Sequence, residues 1–194
     1  MPRRWACTLD LFQEGVINVI ELSHLDPHRF GLRQFILSII CKKLFYERVR
    51  ARRLEEFGRI TNVPRIWLLI DEAHQFIPSG RTTASKPILI RWVKEGRQPG
   101  LSIVLATQQP SAIDNEILSQ CNIVISHRVT NKLDLNALNV LSHDYMKLEF
   151  REYMKKIKNP GEAIFLDDEA ENIRLVGVRK RMSRHGGREV IMGL

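Results

Sequence analysis

Apolar residues along this chain fall either into short continuous runs or into repeats spaced by three and four. VINVIEL (16–22), IWLLIDEAH (66–74), LSIVLAT (101–107), NIVISHRV (122–129), EAIFLDD (162–168) and NIRLVGV (172–178) are the short runs. They are rich in β-branched residues, and runs of that length bounded by turn signals predict buried strands. Residues 28–57 instead place Leu32, Phe35, Ile36, Ile39, Ile40 and Leu44 at helical spacing. That predicts one long helix with this stripe on the core. Its second half, KKLFYERVRARRLEEF, is highly charged and is expected to leave the core for solvent. Further helices are predicted over about 88–96, around 114–120, and twice within 131–158. Strands alternating with helices in this way predict one α/β domain with a mostly parallel sheet.

The punctuation supports the same division. Gly15 precedes the first run, Pro64 the second, and Gly96 and Pro99-Gly100 close the helix before the third. PSGRTTASKP (78–87) interrupts the pattern and reads as a mobile loop. The final RKRMSRHGGREVIMGL is basic and irregular, so the expected organisation is a domain over 1–178 and a tail over 179–194. No internal repeat and no linker divides the chain.

Composition narrows the class. The 194 residues are 44% hydrophobic and 27% charged, near the averages for a globular protein, which excludes a disordered or collagen-like chain. Cys7, Cys41 and Cys121 are far apart and odd in number, which predicts reduced thiols of a cytoplasmic protein and no disulfide framework. Phe35–Cys41 is the longest uncharged apolar stretch, well short of the roughly 20 residues that span a bilayer, and the N-terminus carries no signal-peptide pattern. Thirty Lys and Arg against 22 Asp and Glu give a net charge of +8. This excess, with arginine predominant, suits a nucleic-acid or nucleotide-phosphate partner, and equally a basic surface without function.

The candidate chemistry begins where IWLLI runs into Asp71-Glu72. In a nucleoside triphosphatase an aspartate at such a strand end holds the Mg²⁺ shell through water, and the glutamate activates the attacking water. An ordinary strand end can carry the same pair. A second apolar strand ends about thirty residues on in Thr107-Gln108, and in a parallel sheet its tip would lie beside the carboxylates. Gln108 could then sense a γ-phosphate, or simply bond its own loop. EGRQPG puts Arg97 on a glycine-flanked turn, expected at the same edge, where it could stabilise phosphoryl charge across a subunit interface or cap a helix.

LLIDEAHQF, EGRQPGLSIVLATQQPSAIDNEILSQCNIVISHRV, PGEAIFLDD and the closing HGG, with VINVIELSHLD upstream, resemble the C-terminal half of HerA-type ATPases, in the HerA/FtsK branch of P-loop motor proteins. The resemblance runs from about residue 14 to 188, and the GRxxG…ATQxPS combination is its specific part. It implies a RecA-like P-loop ATPase sheet with flanking helices. It also implies ATP and Mg²⁺ as cofactors and a hexameric DNA translocase or helicase holding the DNA backbone without reading sequence. Such enzymes often work with a nuclease in DNA end processing. By motif position, Asp71 is the Walker B magnesium residue, Glu72 the catalytic base and Gln108 the sensor. Arg97 becomes the arginine finger acting on the neighbouring subunit's nucleotide, and Arg128 a further basic position that is also an ordinary strand-end arginine.

The chain departs from the family in one large respect. No GxxxxGK[ST] occurs, and no glycine is followed by lysine. That motif supplies the N–H cradle and lysine for the phosphates. The phosphate-loop strand is therefore absent, and the sheet is expected to be incomplete between the sensor strand and a late strand. Three resolutions are open: the chain is a fragment or split-gene product whose partner supplies the missing strand, two copies fill each other's gap by strand exchange, or the sheet has rearranged into a pseudo-ATPase; the first is favoured. The alternative function is a nucleotide-incompetent module that binds DNA or a partner protein.

The remaining signals are weaker. His74 completes DEAH, but no SAT-type motif accompanies it, and it reads as a packing or loop histidine. Trp67 and Trp92 lie in apolar patterns and are expected in the core. The basic helix residues Lys147, Arg151, Lys155, Lys156 and Lys158, and the tail residues Arg179, Lys180, Arg181, Arg184 and Arg188, could track a DNA backbone or face solvent. His185 belongs to that tail.

Overall fold

Ile66–Ile70 (β1) and Leu101–Leu105 (β2) pair in parallel, with Ile66 opposite Leu101 and Ile70 opposite Leu105. The computed structural model that shows this describes residues 15–25, 31–59, 63–139 and 146–182. Parallel strands need a crossover, supplied here by the helix α2 (Lys86–Glu95), which has Pro87 in its first turn where no N–H is needed. Gly96 and Gly100 then bracket a tight turn. Leu101 N–H donates to Gly96 O at 2.8 Å, and Gly100 has φ +82°, a left-handed conformation that favours glycine. The chain divides into two compact units, Met1–Gln120 and Cys121–Leu194, although no composition shift marks the division.

The first unit is built on α1 (Leu32–Glu56), α2 and the β1–β2 pair, with a short helix α3 (Asn115–Leu118) capped by Asp114. Trp92, Phe45, Leu89, Cys41, Ile77, Ile113 and Ile117 form its core. The Trp92 indole also donates to Ser102 O at 3.3 Å, tying α2 to β2. Burial pushes the Cys41 thiol up to about 12, so it is an inert packing group. At the far end of α1, buried Arg48 lies 3.5 Å from Glu55, whose other oxygen accepts the Val63 N–H at 2.9 Å. Burial opposes ionisation of Glu55, but that N–H, Arg48 and Arg52 together hold its carboxyl below the ordinary range.

Four expectations change. VINVIEL forms no strand in the described residues, and Ile17 and Val19 are 93% and 84% exposed, because no ladder of N–H and C=O groups pairs with this segment. The buried stripe of α1 is Leu37, Ser38, Cys41, Leu44, Phe45, Arg48 and Ala51, whereas Phe35 and Ile39 are exposed. Both stripes have helical spacing, and contact with α2 through Phe45 selects the second one and carries it into the charged half. Trp67 is 65% exposed: it alternates with Ile66, Leu68 and Ile70 and lies on the other face of β1. The 78–87 loop is pinned. Thr83 Oγ1 and Ser85 Oγ donate to Phe76 O at 2.6 and 2.8 Å, and Lys86 Nζ reaches Pro78 O, Arg81 O and Asp114 Oδ2.

The second unit is a three-stranded antiparallel sheet of β3 (Ile123–Ser126), β4 (Glu162–Asp167) and β5 (Asn172–Gly177), with α4 (Lys132–Asn139) and α5 (Met146–Lys156) between β3 and β4. Ser126 pairs with Ile164, and Ile164 with Leu175. Phe150, Met154, Ile157, Ala163, Ile164, Leu166 and Ile173 are its core. The Glu162 carboxylate accepts the Lys158 and Asn159 N–H groups at 2.8 and 3.0 Å and closes the turn into β4. Cys7, Lys147, Arg184, His185 and Arg188 lie outside the residues or side chains described here.

The Lys86–Asp114 pair, at 2.6 Å, joins the start of α2 to the cap of α3 in a partly buried setting. Lys86→Met is expected to lower stability by about 2 kcal/mol, measured by urea unfolding. The hydrogen bond from Lys86 and then the Glu116 N–H hold the Asp114 carboxyl below its ordinary value against burial. A depressed folded value means this contribution is complete above the ordinary carboxylate range and is lost as pH falls through the folded value. The wild-type and Lys86→Met unfolding curves should therefore converge on acidification.

Candidate functional site

The β1–β2 ladder continues past the ends of both strands, and this extension builds the site. Ala106 N–H donates to Ile70 O at 2.9 Å, and Ala73 N–H donates to Ala106 O at 2.9 Å. Between those two bonds lie Asp71 and Glu72. The chain reverses there by putting Glu72 at φ 49°, ψ 47°, a left-handed conformation that an L side chain adopts at a cost. A single 3-10 turn, Ala73–Gln75, follows. Asp71 Oδ1 accepts the Glu72 N–H at 2.9 Å, and its carboxylate remains exposed at the strand tip.

Glu72 is held from the neighbouring strand. Gln108 Nε2 donates to Glu72 Oε1 at 3.2 Å. His74 Nδ1 lies 3.3 Å from Glu72 Oε2 and 3.1 Å from Thr107 Oγ1. Thr107 Oγ1 also accepts the Gln109 N–H at 3.0 Å. The Glu72 side chain is 35% exposed and that of His74 20%, so the carboxylate is partly screened from water yet open to a ligand. Asp71, Glu72 and Gln108 are thus brought together at one strand end.

Arg97 is elsewhere. It lies in the turn entering β2, at the N-terminal end of the parallel pair, whereas the carboxylates lie at the C-terminal end. The expected common edge does not hold, because a turn that precedes a strand and residues that follow its parallel neighbour lie at opposite ends. Five residues of strand separate them, about 16 Å. Arg97 is exposed there. Arg128 is also exposed and follows β3 in the second unit, where the neighbouring His127 Nδ1 lies 2.9 Å from Glu162 O.

Two members of the site went unrecognised in the sequence. His74 is bonded into it where a packing or loop histidine was expected, and Thr107 links His74 to the second strand. A signal was present: a histidine two residues beyond Glu72, on one tight turn, can lean back over the glutamate. An open cleft of about 830 Å³ is lined by Gly31, Leu32, Gln34, Phe35 and loop residues 81–84, and by none of these site residues.

A carboxylate pair at the end of a parallel strand, with a glutamine reaching it from the next strand, on helices of an α/β unit, is the arrangement of a P-loop-type ATPase. The solved structure of the genome packaging NTPase B204 from Sulfolobus turreted icosahedral virus 2, in complex with ATP-gammaS, has the same fold, with a TM-score of 0.53 at 18% identity over 72% of this chain and 61% of that one. The chain belongs to the zonular occludens toxin (Zot) family, whose model matches residues 50–173, and it is homologous to the HerA-type helicases. It is 31% identical over 155 residues to the DNA double-strand break repair helicase HerA of Pyrococcus furiosus, covering 68% of this chain and 28% of that protein. A helicase of Methanocaldococcus jannaschii, named as probable, is 29% identical over 180 residues, or 92% of this chain and 33% of its own. The chain spans about a third of the length of these relatives.

The left-handed Glu72 supplies a direct test of the backbone geometry. Glu72→Gly and Glu72→Ala remove the same carboxylate, but only glycine adopts this φ without strain. The glycine variant should be more stable than the alanine variant by about 1 kcal/mol in thermal or chemical unfolding. Equal stability, or a less stable glycine variant, would show that residue 72 is not left-handed.

Proposed function

We propose that this chain is the catalytic C-terminal portion of an ATP-dependent DNA translocase of the HerA type. The observation that carries this reading is the Glu72 carboxylate, held at the tip of β1 by Gln108 from the tip of β2. Glu72 accepts a proton from the attacking water, and Gln108 lies where it can report the γ-phosphate to that base. Asp71 offers a hard oxygen beside them and holds Mg²⁺ through water. Asp71 would be the residue of this chain that holds the ion, with phosphates and water completing its shell; among the described residues no group of three or more His, Cys, Asp or Glu could hold a metal. Bound there, the ion neutralises charge on the transferring phosphoryl group.

Arg97 is too far from its own chain's Glu72 to serve the same nucleotide, which supports a finger acting across a subunit interface. Hydrolysis then takes place between subunits of a homo-oligomer, a hexamer in the complete protein, with Arg128 as a further phosphate contact. The phosphate cradle comes from residues outside this sequence, which contains no GxxxxGK[ST]. The net charge of +8 suits contact with a DNA backbone rather than base reading. Among the described residues no helix is long and apolar enough to cross a membrane. A cytoplasmic role in DNA end processing or repair, with a nuclease partner, completes the reading.

Three results test it. Glu72→Gln in the complete assembly should lower turnover about 10²- to 10⁴-fold while ATP binding is kept, as read by steady-state hydrolysis and nucleotide titration. Full activity in that variant would remove Glu72 as the base. Arg97→Ala should lower turnover about 10³-fold or more, and mixing it with Glu72→Gln subunits should restore part of it at interfaces that combine an intact finger with an intact base. No recovery on mixing would exclude the action in trans. The 194-residue chain alone should show no ATP·Mg²⁺ binding by calorimetry, whereas DNA binding that is salt-sensitive and indifferent to ATP in the complete assembly would favour the non-enzymatic module instead.

A further inference from the structure

We propose that His74 is a positioning residue that orients the Glu72 carboxylate, with Thr107 as its anchor on the second strand. This rests on the reading of Glu72 as the base and assigns the group that aims it. A carboxylate held at one oxygen still rotates about its terminal bond; contacts to both oxygens fix its plane. Gln108 takes Oε1 at 3.2 Å, and His74 Nδ1 stands 3.3 Å from Oε2. The first contact comes from the chain that follows β2, and the second from the turn after β1, whose His74 Nδ1 also lies 3.1 Å from Thr107 Oγ1 beyond β2.

The support for the ring is rigid. Ala73 is fully buried, its N–H is bonded to Ala106 O on the β2 side, and Gln75, Phe76 and Ile77 donate N–H bonds at 2.9–3.0 Å back to Glu72 O or Ala73 O. His74 is thus carried on a turn that is itself fastened to both strands. Thr107 Oγ1 is fixed in turn by the Gln109 N–H.

Charge chemistry then assigns the tautomer. An ionised carboxylate only accepts, so the approach of Nδ1 to Oε2 is favourable when the proton is on Nδ1. The same Nδ1 is in hydrogen-bond geometry with the Thr107 oxygen at 3.1 Å, so the proton is shared between that oxygen and Glu72 Oε2. A proton on Nε2 alone would set two lone pairs against each other at 3.3 Å.

Long-range ¹H–¹⁵N spectra of the 194-residue chain in mildly alkaline buffer test the contact without any ATPase activity. The His74 ring should show a protonated Nδ1, and Glu72→Ala should move that resonance. A bare, pyridine-type Nδ1 in the wild-type chain would overturn the proposal. In the complete ATP-hydrolysing assembly, His74→Ala should lower kcat about tenfold with KM for ATP unchanged. His74→Asn places an amide N–H near the position of Nδ1 and should recover most of the loss, whereas His74→Leu should not. An asparagine variant as slow as the alanine variant, or an effect on KM alone, would also overturn it. Full turnover in Glu72→Gln would instead defeat the assignment of the base, and leaves the ring resonance to decide the His74–Glu72 contact by itself.

Discussion

The parallel pairing of β1 with β2 is the constraint on which the rest of the first unit depends. Its register sets Ile70 opposite Leu105, and the two further bonds through Ala106 carry the ladder beyond the strands. Without them Glu72 would have no reason to occupy a left-handed conformation, and Gln108 would have no fixed partner. The pairing is itself held by α2, whose Trp92 bonds to Ser102 O of β2 and packs against Phe45 of α1. A contact between helix and strand thus determines where a carboxylate points at the strand tip.

Strain and tethering act together at this tip. A left-handed glutamate costs on the order of 1 kcal/mol or more, and it persists because the surrounding bonds over-determine it. The carboxylate contacts to Gln108 and His74, and the Ala73 N–H bond, all come from residues fixed by their own backbones. The result is a carboxylate placed by rigid elements rather than by a loop, which suits the role proposed for it. The loop at 78–87 follows the same logic: Thr83, Ser85 and Lys86 return its polar groups to Phe76, Pro78 and Asp114, so a sequence rich in Ser, Thr and Gly is nonetheless pinned.

The outward faces tell a different story. Trp67, Leu69 and Val104 share one face of the β1–β2 pair and are exposed in the first unit, as are Ile17 and Val19 upstream. These are the positions at which continuous apolar runs predicted burial on both faces. The runs are those of strands in a sheet covered on each side, while this unit covers only one. That contrast agrees with a chain that spans about a third of its HerA-type relatives.

Of the six strands read from the sequence, five are found among the described residues, with the crossover helix and the carboxylates at a strand end, because β-branched runs, turn glycines and the DE pair are local signals. The sequence also carried the HerA-type motifs, since GRxxG and ATQxPS are contiguous. Tertiary structure alone decided the buried face of α1, where helical spacing admits two stripes and contact with α2 through Phe45 selects one. It alone separated Arg97 from the carboxylates, because the direction of a parallel strand sends its entering turn to the opposite end. VINVIEL is no strand for the same kind of reason: strand formation needs a partner ladder, and a run of apolar residues does not contain its own. His74 shows the limit most simply. Its place in DEAH is visible in one dimension, but its approach to Glu72 and Thr107 exists only once β2 lies beside β1.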